Sequence, residues 1–302
     1  MKILLLGADG QLGSHLRHTL LHLGDLLVST RTGSSGALPC DLLDTDALSA
    51  MLRRERPDLV VNASAYTAVD QAETDISTAM AINAEVPRAI GHAVTAWNGA
   101  VVHYSTDYVF DGMQTRPYTE EDATAPLGIY GQSKLRGELA LSASGADHLI
   151  LRTAWVYSLR GRNFLTTMLR LATERPQVRI VADQRGTPTS AGFLADATVR
   201  IASSWMGDPI RRTLRGGVYH LTANGETTWY DFAEALFSDA HETDRIANVP
   251  TILPIATSDY PTPARRPAYS VLAIDRIVKT FAVAAPHWRD DLRHVLGSAA
   301  SR

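Results

Sequence analysis

The first half of the chain is punctuated by the short apolar runs KILLLG, LLVST, DLVVNAS, GAVVHYS and HLILRTAWVY. None alternates cleanly between apolar and polar residues, so each reads as a strand buried on both faces. Between the runs, apolar positions recur at helical spacing. Leu12, Leu16, Leu20 and Leu23 form one stripe, and Leu48, Met51 and Leu52 belong to another. A longer helical pattern runs from about Ala72 to Ala96, with a bend or interruption expected at Pro87. Buried strands alternating with amphipathic helices predict a parallel sheet with helices on both faces.

Beyond about Ser158 the rhythm loosens. Helices are predicted near 163–173, 190–205, 228–238 and 287–296, and strands at VRIVA and VYHLTA. The proline-rich VPTILPIATSDYPTPARRP has no helical period and reads as an ordered loop. There is no internal repeat.

Composition narrows the function classes without choosing one. With 302 residues, 45% hydrophobic and 20% charged, the chain can bury a large core and is not a candidate for disorder. A net charge of −3 offers no broad attraction to nucleic acid or anionic lipid. The single cysteine, Cys40, cannot form an internal disulfide and is too little for a thiolate cluster, which fits a reducing compartment. The apolar run Ile3–Leu6 is too short for a secretory segment, and no stretch reaches the roughly 18 apolar residues a membrane helix needs. A cytoplasmic protein with no nucleic-acid or membrane partner is expected.

Three motifs carry candidate chemistry. In ILLLGADGQLGSHL, Gly7, Gly10 and Gly13 lie where the first strand passes into the first helix. Glycine there permits a tight turn and close approach of the backbone to a pyrophosphate at the helix N-terminus. The spacing, G-x-x-G-x-x-G, differs from the commoner G-x-G-x-x-G. The second motif, VVHYSTDYVFDG, ends a strand in Ser105, Thr106, Asp107 and Tyr108, at the sheet edge where open α/β folds bind ligands. Thr106 could donate to a substrate carbonyl and Asp107 could accept from a sugar hydroxyl; a polar strand end with capping residues is the plainer alternative. The third, PLGIYGQSKLRGE, places Tyr130 and Lys134 one helical turn apart. A free phenol has a pKa near ~10, and a positive charge close by would lower it, making Tyr130 a proton donor to a carbonyl oxygen. An isolated Tyr-x-x-x-Lys would otherwise be read as a solvated face.

Together, the glycine-rich first turn, the Ser/Thr group and Tyr-x-x-x-Lys about 25 residues later resemble the short-chain dehydrogenase/reductase family. A proline before the tyrosine resembles its extended branch, which acts on nucleotide-linked sugars. The segments GADGQLG, VVNASAYTAVDQAE, YSTDYVFDG, YGQSKLRGE, LRTAWVYS, GTPTSA, GVYHLTANGETTWYDFA and ARRPAYSVL resemble, more narrowly, the dTDP-4-dehydrorhamnose reductase family over essentially the whole chain. The resemblance implies a doubly wound, Rossmann-type parallel sheet with a smaller C-terminal α/β substrate domain. The corresponding boundaries are 1–160 for dinucleotide binding and 161–302 mainly for substrate, with VYHLTA able to return to the first sheet.

The resemblance further implies Thr106, Tyr130 and Lys134 as the catalytic set, with Lys134 also on ribose. It puts Asp107 and Tyr108 on sugar hydroxyls and Trp155 against the sugar ring. Gly7, Gly10, Gln11 and Leu12 would line the pyrophosphate, and Asp41 and Leu42 the adenine. Ala63, Ala65, Tyr66 and Thr67 would run along the nicotinamide side. Trp155 in the core and Asp41 in an ordinary turn are the plain alternatives. At the end of LLVST, Thr30 stands where an acidic residue would favour NAD, and Arg31 follows, which points to NADPH, with NADH also accepted.

His15, His18 and His22 share one side of the first helix, but no cysteine or carboxylate completes a metal site, so no metal is expected. Some members of the reductase group share a magnesium ion between subunits through glutamates. The matching positions here are His15 and Gly192, which predicts a monomer or a weak homodimer without that bridge. A dTDP-sugar substrate requires an arginine for its diphosphate, with Arg265 and Arg266 as candidates. The function expected is NADPH-dependent reduction of dTDP-4-dehydro-L-rhamnose. An epimerase or dehydratase of the same fold and a non-catalytic regulatory subunit are the alternatives.

Overall fold

The computed structural model describes residues 1–33 and 36–298. The strands of the first half are β1 (Lys2–Leu6), β2 (Asp25–Thr30), β3 (Leu38–Pro39), β4 (Leu59–Asn62), β5 (Ala100–Thr106) and β6 (Asp147–Thr153). They are followed by β7 (Val156–Tyr157), β8 (Gln177–Val181), β9 (Arg185–Gly186), β10 (Thr189–Ser190), β11 (Gly217–His220), β12 (Thr227–Thr228) and β13 (Thr251–Ile255). The main sheet is entirely parallel, in the order β11-β6-β5-β4-β1-β2-β3. VYHLTA does return to the first sheet, as β11 beside β6.

The helices are α1 (Gln11–Thr19), α2 (Thr45–Glu55), α3 (Val69–Ala72), α4 (Ile76–Met80), α5 (Val86–Val94) and α6 (Ile129–Ala143). Then come α7 (Phe164–Glu174), α8 (Ala191–Met206), α9 (Pro209–Leu214), α10 (Trp229–Glu242), α11 (Asp275–Phe281) and α12 (Trp288–Gly297). Successive strand residues point to opposite faces, so each apolar run supplies two cores. Ile3 and Leu5 face Leu16, Leu20, Leu194, Ile201 and Ile277 of α1, the turn after it, α8 and α11. Leu4 and Leu6 face Leu48, Leu52, Val86, Ile90 and Leu141 of α2, α5 and α6. Each fully buried leucine contributes about 1.5–3 kcal/mol. A separate core forms from Met168, Val178, Ile180, Phe232, Leu236 and Leu292.

Two expectations are corrected. The long helix over 72–96 is broken into α3, α4, a π-helical turn over Ala81–Glu85 and α5. Pro87 does not break it. It sits in the first turn of α5, where a missing N–H costs nothing. The proline-rich segment is not all loop, since Thr251–Ile255 pairs in parallel with β8 as an edge strand; Pro254 fits there, where one N–H can be spared.

The apolar strands turn polar at their C-terminal ends. Ser29 and Thr30, Asn62, Ser105 and Thr106, Arg152 and Thr153, and His220 are all buried there. Buried polar ends converging on one edge of a parallel sheet mark where this architecture binds ligands.

Candidate active site

Gly7 leaves β1 with φ +78°, and a Cβ there would stand 2.6 Å from Ser64 N and 2.7 Å from the Ala63 carbonyl carbon. A Cβ on Gly13 would fall 2.0 Å from Gly7 O. The glycines therefore let β1, β4 and α1 meet closely, as a turn under a pyrophosphate requires. In front of the turn lies a cavity of about 380 Å³, lined by Gly7, Gly10, Thr30, Arg31, Asp41, Leu42, Ala65 and Tyr66. Ser29, Cys40, Ser64, Thr78 and Ile82 complete much of its wall and were not anticipated. A dinucleotide fits this wall: a turn drawn so close to its neighbours that positions 7 and 13 admit no Cβ, and at its rim an exposed Arg31.

Of the residues expected along the pyrophosphate, adenine and nicotinamide, Gln11, Leu12, Ala63 and Thr67 do not line that cavity, nor do Tyr130 and Lys134, also expected at the cofactor. Gln11 instead ties the turn to the second lobe, its Oε1 accepting from Asn163 Nδ2 at 2.8 Å. Leu12 and Ala63 pack on the main core, and Thr67 is exposed. Asp41 keeps its turn role as well, Oδ1 accepting from Leu43 N.

The tyrosine and lysine sit on α6, whose N-cap residue, Gly128, has no side chain to cap it. Glu73 supplies the cap from the end of α3, Oε1 accepting from Ile129 N at 2.8 Å. Asn83, from the π-helical turn, joins the cofactor side to α6. Its amide pairs with both Tyr66 N and Tyr66 O and donates to Ser133 Oγ at 2.9 Å. Gly137 allows this approach, since a Cβ there would lie 2.0 Å from Asn83 O. A polar residue inside an apolar helical pattern was the available signal for Asn83.

Thr106 caps the turn that follows β5, its Oγ1 accepting from Tyr108 N and donating to Asp107 Oδ1 at 3.0 Å. Burial raises the Asp107 carboxyl to about 6, and its Oδ2 has no hydrogen-bond partner. The rings of Tyr108 and Tyr130 meet edge to face at 5.5 Å. Burial pushes the Tyr130 phenol up to about 12, with a hydrogen bond to Thr106 opposing. Lys134 is almost wholly buried, and burial draws its amine down to about 8 against the charge of Glu138. Its Nζ donates to Tyr104 O at 2.6 Å and lies 3.3 Å from His103 Nε2. The expected direct action of Lys134 on the phenol is thus corrected: the lysine is turned toward β5, and Thr106 is the group lowering the phenol.

Trp155 has left-handed backbone, φ 47°, which a bulky residue adopts only when packing holds it there. Trp229, unanticipated, stacks on it at 3.5 Å and 4°. Gly186 makes room beside the indole, where a Cβ would come within 2.4 Å of Cε2. Trp229 also lines a second cavity of about 610 Å³ with Phe164, Arg175, Arg179, Tyr260 and Arg266. Arg266 pairs with Asp70 at 3.0 Å and its charge acts on Tyr108, whereas Arg265 is exposed and outside that wall. Tyr66 of the first cavity is joined through Asn83 to Ser133 on α6, and the charge of Arg266 from the second acts on Tyr108, whose ring meets Tyr130.

Among the described residues no cluster of His, Cys, Asp or Glu could hold a metal, and no helix is long and apolar enough to cross a membrane. His15 and Gly192 do lie together, the imidazole within 3.9 Å of where a Gly192 Cβ would be.

The family model described as the RmlD substrate binding domain matches residues 1–301. A dTDP-4-dehydrorhamnose reductase from Burkholderia thailandensis is 44% identical over 291 residues, covering 96% of each chain. The crystal structure of a dTDP-4-dehydrorhamnose reductase from Clostridium acetobutylicum matches with a TM-score of 0.88 at 32% identity, over 98% of each chain. That of the Bacillus anthracis reductase in complex with NADP matches with a TM-score of 0.85 at 30% identity, over 98% of this chain and 99% of that one. Whole-length identity at this level, on the same fold and with the Tyr-x-x-x-Lys helix in place, means that this chain belongs to the dTDP-4-dehydrorhamnose reductase family.

Proposed function

We propose that the protein reduces dTDP-4-dehydro-L-rhamnose to dTDP-L-rhamnose at the expense of NADPH. The observation that carries this reading is the Thr106–Tyr130–Lys134 cluster set with a glycine-cradled cavity and a separate arginine-lined one. When bound, NADPH supplies a hydride to C4 of the sugar. Gly7, Gly10, Thr30, Arg31, Asp41, Leu42, Ala65 and Tyr66 would hold the cofactor, and Lys134 its ribose. Tyr130 keeps its proton at neutral pH and delivers it to the C4 oxygen, and Thr106 orients the phenol. Asp107 and Tyr108 hold sugar hydroxyls, and Trp155, backed by Trp229, bounds the ring. In this reading residues 1–160 mainly serve the cofactor and the remainder mainly the substrate.

Mixing enzyme, NADPH and the dTDP-4-keto sugar tests the reaction. Stoichiometric loss of reduced cofactor with formation of dTDP-L-rhamnose is expected. Turnover without net cofactor use would instead mean an epimerase, and no turnover with tight binding of a protein partner a regulatory subunit.

Arg266 is assigned to the diphosphate, because it is the member of the ARRPAY pair on the cavity wall and it stands beside Tyr108. Arg266→Ala is expected to raise KM for the dTDP-sugar about 10- to 100-fold with a much smaller change in kcat. An unchanged KM in steady-state kinetics would remove the assignment.

Cofactor choice is assigned to the end of β2. The Thr30 hydroxyl accepts from Gly33 N at 3.0 Å, fixing the turn that presents Arg31. Arg31→Ala is expected to lower kcat/KM for NADPH about tenfold and leave that for NADH nearly unchanged. Equal losses with both cofactors would show that Arg31 does not read the 2′-phosphate.

Assembly is assigned to a monomer or a dimer without a magnesium bridge, since neither His15 nor Gly192 offers a hard oxygen ligand. Sedimentation velocity is expected to give the same species with and without a chelator, and a dimer that dissociates on chelation would contradict this.

A further inference from the structure

Gln11 is the first residue of α1, and its backbone N–H is one of the opening donors that find no partner within a helix. That donor is directed out of the helix N-terminus, on the side of the glycine-rich turn. The side chain runs into the loop of residues 158–163 in the second lobe. Its Oε1 accepts from Asn163 Nδ2 at 2.8 Å, and Ser158 Oγ lies 3.4 Å from the same oxygen. The loop is shaped around this contact. Gly161 has φ +73°, and a Cβ there would stand 3.3 Å from Gln11 Cγ. Asn163 Nδ2 also donates to Ser158 O at 2.8 Å, and Ser158 Oγ donates to Arg160 O at 2.9 Å.

The amide orientations follow from one fixed donor. Thr166 N, which can only donate, lies 3.1 Å from Asn163 Oδ1. The end of Asn163 facing Gln11 is therefore its NH2 group, and Gln11 presents its oxygen. Asn163 thus has two duties. Through Oδ1 it caps α7, in a reciprocal box with Thr166, whose Oγ1 accepts from Asn163 N at 3.1 Å. Through Nδ2 it holds Gln11. Beyond the cap, Phe164, Thr167, Met168 and Leu171 of α7 line the second cavity. Phe164 also meets Trp229 at 4.6 Å, and Trp229 is the ring stacked on Trp155. Gln11 therefore joins the helix start behind the glycine-rich turn to the start of the helix that walls the second cavity.

We propose that Gln11 and Asn163 are positioning residues that couple the two cavities, so that a pyrophosphate on the α1 N-terminus tightens binding of the dTDP moiety in the second. The coupling rests on the reading of the first cavity as the cofactor's and the second as the dTDP-sugar's. An anion drawn onto the Gln11 N–H fixes this residue, and Gln11 in turn fixes the start of α7. The second ligand then has less of its wall to order, and the difference appears as affinity. The effect is reciprocal, since each ligand must strengthen the other by the same factor. A single neutral hydrogen bond limits that factor to about tenfold.

Isothermal titration of the intact protein with NADP+ and with dTDP, each alone and each in the presence of the other, reads the factor. Saturation with NADP+ is expected to tighten dTDP binding about 5- to 10-fold, and saturation with dTDP to tighten NADP+ binding equally. Asn163→Ser keeps a good N-cap for α7 but removes the amide that reaches Gln11. It is expected to bind each ligand alone within about threefold of native affinity and to bring the factor below about twofold. Gln11→Met removes the acceptor from the other side and should lower the factor equally. The double variant should lose no more than either single one, a non-additivity that independent weakening of the two lobes would not give. Two ligands that bind the native protein independently would overturn the coupling, as would a factor unchanged in either folded variant. If one variant does not fold, the other and the native factor decide. If NADP+ or dTDP does not bind even alone, the reading of the cavities fails and the coupling with it, so the two failures are told apart.

Discussion

Tyr130→Phe is expected to lower kcat about 10²- to 10⁴-fold while the affinity for NADPH stays within about twofold. The phenol oxygen is the proposed proton donor, and its loss removes besides the proton only the hydrogen bond with Thr106. Phenylalanine keeps the ring that meets Tyr108 edge to face at 5.5 Å, and the backbone of Tyr130 still accepts from Ser133 Oγ at 2.8 Å. The helix is held at its start by Glu73 and along its length by Asn83 rather than by the phenol. Since burial holds the phenol near 12, it remains protonated throughout the neutral range, and the native kcat should not fall between pH 7 and pH 9 through loss of this proton. Single-turnover kinetics with NADPH and the dTDP-4-keto sugar, alongside a fluorescence titration of the cofactor, separate the two quantities. A variant within tenfold of native kcat would show that the proton comes from elsewhere.

Gly7→Val is expected to abolish measurable cofactor binding and to destabilise the protein by about 2–4 kcal/mol. Two penalties coincide at this position. The backbone sits at φ +78°, which valine adopts only under strain, and the new Cβ would press on Ser64 N and the Ala63 carbonyl carbon at 2.6 and 2.7 Å. Those are backbone atoms just beyond β4, which is hydrogen-bonded to β1 up to the Leu6–Asn62 pair, so they cannot swing aside as a side chain could. Relief would have to come from parting the two strands at the centre of the sheet or from closing the cavity in front of the turn. Calorimetric unfolding and cofactor titration read the two effects separately. Native affinity together with native stability would mean that the turn does not cradle the pyrophosphate.

Much of this architecture was written in local pattern. Runs such as KILLLG and AVVHYS are apolar on both faces, which only a strand covered on both sides tolerates, and the parallel sheet follows from that burial. The spacing of Gly7, Gly10 and Gly13 reports a close approach of backbones, because a Cβ at Gly7 or Gly13 would overlap backbone atoms. The four-residue interval from Tyr130 to Lys134 determines that both lie on one face of α6, whatever surrounds the helix. These features depend on residues within a turn or two of one another, so the order of the amino acids carries them.

Contacts between distant segments were decided elsewhere. Thr251–Ile255 becomes a strand because β8 offers an edge, although its own prolines read as loop. Trp229 stacks on Trp155 only because α10 starts where the left-handed turn after β6 delivers the indole. Lys134 points to Tyr104 and His103 rather than to the phenol one turn before it, because β5 passes beneath α6 and offers a carbonyl and an imidazole in a dry interior. The Asn62 that meets that imidazole at 3.1 Å arrives on β4, adjacent to β5 only through the strand order. Spacing along the chain determines which side chains share a face. Which hydrogen-bond partner a buried polar group finds depends on the order in which the whole chain lays down its strands, because burial removes water as the default partner and leaves only the groups the tertiary fold brings near.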